Sequence, residues 1–251
     1  MMLITLVGLA FLKQDLIETI GGDLPIVITA PHGGVETIPG SPERSNKDLP
    51  QFVTVLDTRT DELARQTAKQ IEKLFGKKPW VVIAKFARKY ADANRPAKYG
   101  TESDQAREQH KLYHEAVRHA VDSVRAKFGK GILLDVHGQG AEKDTVFRGT
   151  QNLKTVGGLS DAELAGPKSF LGALESEGVK IFPSCAKFHD KENSKFDGGY
   201  TVQTYGSNNK DGIFAIQLEF GASYRSVKAI PETAKKLCIS LHFYYKEFLN
   251  Q

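Results

Sequence analysis

Residues 24–34 read LPIVITAPHGG. The first seven form a continuous apolar run rich in β-branched side chains, the pattern of a strand covered on both faces. The run stops at Pro31, and His32 stands at its carboxyl end in a loop made permissive by Gly33 and Gly34. Two further segments repeat the plan. Residues 131–136 (GILLDV) predict a buried strand that also ends on a histidine, His137, followed by Gly138. Residues 213–220 (IFAIQLEF) predict another, which carries Glu219 near its end. A fourth buried strand is expected over 79–86 (PWVVIAKF).

Helical spacing fills the intervals. Leu63, Thr67, Ile71, Leu74 and Phe75 share one face, with Gly76 as a stop. Tyr113, Val117, Ala120, Val121, Val124 and Phe128 define a long helix that begins near Ser103 and stops at Gly129. A helix is expected from about 160 to 178, and Pro231 opens a C-terminal one bearing Leu237, Cys238 and Leu241. Residues 198–206 (GGYTVQTYG) read as a loop entering a short strand. Strands alternating with helices predict an α/β fold, with helices on both faces of a mixed, mostly parallel sheet. No repeat or linker divides the chain, so residues 1–251 are expected to form a single domain.

Composition removes several function classes. A net charge of +4, without a basic cluster carrying interleaved aromatics, argues against nucleic acid. Cys185 and Cys238 are far apart and form no CxxC pair, which excludes a thiolate zinc site; one disulfide between them stays open for an exported protein. Residues 2–12 (MLITLVGLAFL) are too few to span a bilayer, and no other segment is long and apolar enough for stable membrane insertion. Two readings of residues 1–14 stand side by side: a signal segment lacking the usual basic start, or a leading strand. Location is therefore cytoplasmic or exported.

The carboxyl ends of strands in an open α/β sheet are where ligands bind. His32, His137 and Glu219 gather there. A catalytic zinc takes three protein ligands and keeps one position open, and two histidines with one carboxylate are a common set. Asp57 is the preferred acid, Asp61 the second choice and Glu36 a further candidate; Asp57 or Asp61 could equally cap the helix that follows. Asp135 lies two residues before His137 on the same strand face, where it could fix the imidazole tautomer. Glu219 is costly in an apolar strand unless it serves chemistry, and partial burial would move its pKa toward that of a general base.

Six motifs occur in order: Pro31-His32-Gly33-Gly34, Asp57-Thr58-Arg59-Thr60-Asp61-Glu62-Leu63-Ala64, Arg88 with Asp92-Ala93-Asn94-Arg95-Pro96, Leu134-Asp135-Val136-His137-Gly138, Gly198-Gly199-Tyr200-Thr201 and Gln217-Leu218-Glu219. Together, over residues 24–225, they resemble the N-formylglutamate amidohydrolase family, distant relatives of zinc carboxypeptidases. The sequence departs from many members in reading His-Gly-Gly and His-Gly where they carry His-Ser-Gly and His-Ser. The resemblance implies a phosphorylase/hydrolase-like fold and one zinc ion per chain on His32, Asp57 and His137. It implies Glu219 as general base, Arg88 in substrate binding or oxyanion stabilisation, and Asn94 with Arg95 on a substrate carboxylate; Tyr200 could reach the site from its glycine hinge. The expected reaction is attack of a zinc-bound water on the amide of a small N-acyl amino acid, or of a short peptide with a free carboxylate. Two alternatives keep the same residues: a carboxypeptidase or amidase acting on cell-wall peptides, and a metal-binding recognition protein without turnover. A serine hydrolase is disfavoured, because no G-x-S-x-G elbow occurs.

Overall fold

The computed structural model describes residues 15–250. The two readings of residues 1–14 lie outside them. Seven strands form one sheet: β1 (Ile17–Ile20), β2 (Ile26–Ala30), β3 (Trp80–Ala84), β4 (Ile132–Gly138), β5 (Val146–Gly149), β6 (Ile181–Phe182) and β7 (Phe214–Phe220). Their order is β1-β3-β2-β4-β7-β5-β6. The four strands expected from apolar runs are the four central ones, and β3, β2, β4 and β7 run parallel. On the flanks, β1 pairs antiparallel with β3, β5 antiparallel with β7, and β6 parallel with β5. These added strands are two to four residues long, too short to register as runs.

The helices are α1 (Thr60–Phe75), α2 (Ala97–Gly100), α3 (Asp104–Phe128), α4 (Asp161–Ala165), α5 (Phe170–Ser176), α6 (Tyr200–Tyr205) and α7 (Ile230–Tyr244). Among the described residues, no helix is long and apolar enough to cross a membrane. Side-chain alternation along the strands separates two cores. Ile26, Ile28, Ala30, Leu134, Val136, Ile216 and Leu218 face α1, α5 and α7, against Leu63, Ile71, Leu171, Leu237 and Leu241. Val27, Leu133 and Ala215 face α3 and α6, against Tyr113, Val117, Val121 and Val202. Cys238 lies in the first core, and both cysteines are free thiols.

Two local expectations need correction. The helix expected over 160–178 is two: α4, closed by a capping box from Ser160 and Glu163, and α5, whose Ser169 side chain accepts from Gly172 N at 2.9 Å. Pro167 causes the break, because the residue before a proline is driven out of helical geometry. Residues 198–206 contain α6 in place of a strand. Its first turn is held from a distance, with the Thr201 amide donating to Asn94 Oδ1 at 2.8 Å. A cap supplied from 107 residues away leaves no local signal.

The chain reaches α6 through a long loop fastened at Glu192. The buried Glu192 carboxylate accepts from Arg148 Nε at 2.8 Å, from Thr150 N at 2.8 Å and from Asn152 N at 2.9 Å. Arg148, on β5, is among the largest fully buried side chains. Removing one member of a buried ion pair leaves the other charge uncompensated. Glu192→Gln is therefore expected to destabilise the protein by about 3–5 kcal/mol. Urea unfolding monitored by circular dichroism measures this; a loss below ~1 kcal/mol would show that the pair does not fasten the loop.

Candidate metal centre

The chain runs from β2 to β3 on one side and later to β4 on the other, so the crevice between β2 and β4 is a topological switch point. His32 follows β2 and His137 lies near the end of β4. Asp57 comes from the loop before α1, its amide donating to the His32 carbonyl at 3.1 Å. No side chain caps α1, and Asp61 is engaged with Arg65 Nη1 at 2.7 Å, so capping does not occupy Asp57. Glu36 forms a backbone bridge with Phe86. Of the three candidate acids, Asp57 is the one that meets the histidines, and one ligand atom from each of His32, Asp57 and His137 lies within 4.8 Å of the others.

The internal distances are informative. His32 Nδ1 and His137 Nδ1 are 3.2 Å apart, and Asp57 Oδ2 lies 3.1 Å from His137 Nδ1 and 3.4 Å from His32 Nδ1. Three donors on a tetrahedral ion with ligand distances near 2.0–2.1 Å would be spaced by about 3.3 Å. Behind each imidazole stands a carboxylate: Asp92 Oδ1 is 2.7 Å from His32 Nε2, and Asp135 Oδ2 is 2.9 Å from His137 Nε2. A carboxylate only accepts, so each Nε2 carries the proton and each Nδ1 turns a lone pair inward. Two lone pairs and a carboxylate oxygen converging in a buried space require a cation. Without a metal that cation is a proton: burial alone would lower the His137 pKa, but Asp135, Asp57 and Glu219 hold it well above the usual histidine value. Burial would likewise raise the Asp57 pKa, and the two histidines hold it below the carboxylate range. The donor set fits a divalent metal.

Glu219 Oε1 lies 4.0 Å from His137 Nδ1, beside the three donors and outside their triangle. Burial pushes its pKa up to about 7, Asp57 adds to the rise, and His137 and Arg88 oppose it. Arg88 donates from Nε to Asp92 Oδ2 at 2.8 Å and places Nη1 3.6 Å from Asp57 Oδ1. Arg95 is half-buried; its Nη1 donates to the Asn94 carbonyl at 2.7 Å, and its buried Nε has no hydrogen-bond partner. Asn94 is buried; its Oδ1 accepts from Thr201 N, and its Nδ2 donates to Gln217 Oε1 and lies 3.2 Å from His137 Nε2. Tyr200 lies on α6 with its ring 5.1 Å from that of His114 and 6.2 Å from that of His110.

Several residues without an assigned role in the sequence complete the site. Asp92 is the hub: it holds His32 and Arg88, accepts from Asn94 N at 3.0 Å, and lies 3.7 Å from Nη1 of the buried Arg44. Thr29 Oγ1 donates to Asp135 Oδ1 at 2.6 Å. Arg225 clamps three strand-end loops, donating to the carbonyls of Phe220 at 2.9 Å, Gln139 at 3.2 Å and Thr58. Its guanidinium leaves no room for a side chain at residue 138, where a Cβ would come within 2.6 Å of Arg225 Cζ. From α3, His114 Nε2 donates to the Ala93 carbonyl and His110 Nε2 to the Arg95 carbonyl, both at 2.8 Å. The resemblance motifs already contained Asp92, and it could have been found by its spacing of four from Arg88; the histidines of α3 gave no such sign.

Comparison with known proteins bears on the fold and on the class of reaction. Residues 101–224 match the family model of N-formylglutamate amidohydrolase, which bears out the resemblance read from the sequence. The matched segment takes in His137, Tyr200 and Glu219 and supports an amidohydrolase. No curated protein matches the chain. Among solved structures, the N-formylglutamate amidohydrolase of Ralstonia eutropha JMP134 is similar with a TM-score of 0.60 at 15% identity, over 93% of this chain and 98% of the other. The gene product Atu2144 of Agrobacterium tumefaciens is similar with a TM-score of 0.58 at 13% identity, over 92% of this chain and 95% of the other. At these identities the likeness shows the fold, which is that of N-formylglutamate amidohydrolase.

The clamp on residues 93–95 has a measurable consequence. His114→Ala leaves the Ala93 carbonyl without its donor, an expected loss of about 1–3 kcal/mol. Hydrogen exchange should accelerate at the amides of Asn94 and Arg95 while β4 stays protected. Equal protection of Asn94 in variant and wild type would show that α3 does not hold this loop.

Proposed function

We propose that the protein is a zinc-dependent hydrolase that cleaves the amide bond of a small N-acyl amino acid, N-formyl among them, or of a short peptide with a free carboxylate. The supporting observation is the triangle of His32 Nδ1, His137 Nδ1 and Asp57 Oδ2, with sides of 3.1–3.4 Å and a carboxylate behind each histidine. Those three residues would hold the zinc, one per chain. Zinc bound there would supply Lewis acidity, lowering the pKa of a water and polarising the scissile carbonyl.

The chain's own groups do the rest. Glu219, beside the donors, takes a proton from the attacking water as the C–O bond forms. It passes that proton to the leaving nitrogen as the C–N bond breaks, so an acid and an amine are released. Arg88 presents positive charge next to Asp57, where an oxyanion would develop. Arg95 has a buried Nε without a hydrogen-bond partner and is the guanidinium suited to a substrate carboxylate. Asn94 contributes mainly by shaping the loop that carries Arg95, and Tyr200 packs on the histidines that hold that loop. Holding the carboxylate fixes the amide relative to the water, which is where binding energy becomes rate.

Metal analysis and kinetics test the reading together. Wild type is expected to carry about one zinc per chain, and His137→Ala to lose it. Glu219→Gln should retain zinc while hydrolysis of N-acyl amino acids falls by about 10²–10⁴-fold. Arg95→Ala should raise KM for carboxylate-bearing substrates more than it lowers kcat. A folded wild type that takes up no transition metal, or a Glu219→Gln variant as active as wild type, would overturn the proposal.

A further inference from the structure

Gln217 and Glu219 project from the same face of β7, opposite Asp135 and His137 of β4 in the register Asp135↔Gln217 and His137↔Glu219. Gln217 is buried in a position where its neighbours in the strand face are Ala215 and Glu219. All of its amide contacts are directional. Gly199 N donates to Gln217 Oε1 at 2.7 Å, and a backbone N–H cannot accept. That leaves Gln217 Nε2 to donate to Glu219 Oε1 at 2.9 Å. The amide therefore has one orientation only. The same argument fixes Asn94: Thr201 N donates to its Oδ1 at 2.8 Å, so its Nδ2 points at Gln217 Oε1, 3.1 Å away. A one-way chain results, from the first turn of α6 through Asn94 and Gln217 to the Glu219 carboxylate.

We propose that Gln217 is the positioning residue of Glu219: its Nε2 donor fixes Oε1, the oxygen 4.0 Å from His137 Nδ1, and so sets how the carboxylate faces the metal donors and the attacking water. The inference rests on the reading of Glu219 as general base. It adds a physical reason for the buried amides of Asn94 and Gln217. A carboxylate on a strand has free rotation about its terminal torsion unless a partner fixes it. Gln217 supplies that partner, and its own Oε1 is held by two donors, so the whole bridge is pre-set before substrate arrives. Gly199 belongs to the device: a Cβ there would come within 2.1 Å of Asn94 Nδ2, so the backbone can approach only without a side chain.

Two variants separate positioning from packing. Gln217→Glu keeps an acceptor for Gly199 and Asn94 but replaces the donor with a group that repels Glu219. Gln217→Met keeps the volume and removes both functions. If Gln217 positions the base, Gln217→Glu should lower kcat by about 10–100-fold, the usual cost of losing an outer partner, with KM within about twofold and zinc content unchanged. If it serves only to hold α6, Gln217→Glu should match wild type and Gln217→Met alone should suffer. A crystal structure of Gln217→Glu supplies a readout independent of turnover: the Glu219 carboxylate should occupy a rotamer different from wild type. Glu219 unmoved in that structure would overturn the inference even where no substrate has been found. Inactivity of the wild type would instead count against the proposed function, with the crystallographic comparison still deciding the role of Gln217. Should Gln217→Met fail to fold, the Gln217→Glu pair of measurements is sufficient.

Discussion

The constraint on which this molecule turns is the approach of two imidazole Nδ1 atoms to 3.2 Å, with both rings already committed at Nε2. Such an arrangement is repulsive unless a cation sits among the donors. It can be built only if each ring is locked from behind, because a histidine free to turn would present Nε2–H inward and relieve the clash. Asp92 and Asp135 prevent that turn. They are themselves locked, Asp92 by Arg88 and the Asn94 amide, Asp135 by Thr29. Burial would raise the Asp92 pKa; Arg88, His32 and Arg95 instead hold it well below the usual carboxylate range, so it stays an acceptor.

The fold places these groups by strand periodicity. On β2, β4 and β7, the face toward α1 and α7 is uniformly apolar, from Ile26 and Ile28 through Leu134 and Val136 to Ile216 and Leu218. The opposite face begins apolar, at Val27, Leu133 and Ala215, and becomes polar one step further along, at Thr29, Asp135 and Gln217. His137 and Glu219 follow one step beyond on β4 and β7. Parallel strands in register make this change of polarity occur at one level across the sheet. Thr29, Asp135, Gln217, His137 and Glu219 each have a hydrogen-bond partner, which offsets much of the cost of burying them.

The same periodicity explains what could be read in advance. The four central strands are covered on both faces, so they appear as apolar runs; α1, α3 and α7 each bury a stripe and appear at helical spacing. His32, His137 and Glu219 were legible because each interrupts or ends such a run. Gln217 interrupts a run equally, but a neutral amide carries no chemistry by type, and its meaning lies in partners 18 and 123 residues away. His110 and His114 fall within a helix whose charged residues hide them, and the loop atoms they hold are backbone carbonyls, which leave no trace in side-chain type. β1, β5 and β6 were too short, and α6 depends on Asn94 for its start.

That distribution of roles gives the two sides of the sheet different physics. On the side of α1 and α7 the packing is hydrophobic and non-directional, so a change of shape there is absorbed by stability and tolerates volume-conserving exchange. Toward α3 and α6 an apolar core gives way, at the carboxyl ends of the strands, to hydrogen bonds whose donors and acceptors are fixed by chemistry, and a change of shape there redirects a proton or a lone pair. The loop of residues 92–95 is where the second kind of packing is densest. Its backbone is held by two histidines of α3 and by the Asp92 side chain, and its side chains reach His32, Gln217 and Arg88. Position along this loop therefore bears directly on how the side chains of His32 and His137 meet at the ends of β2 and β4.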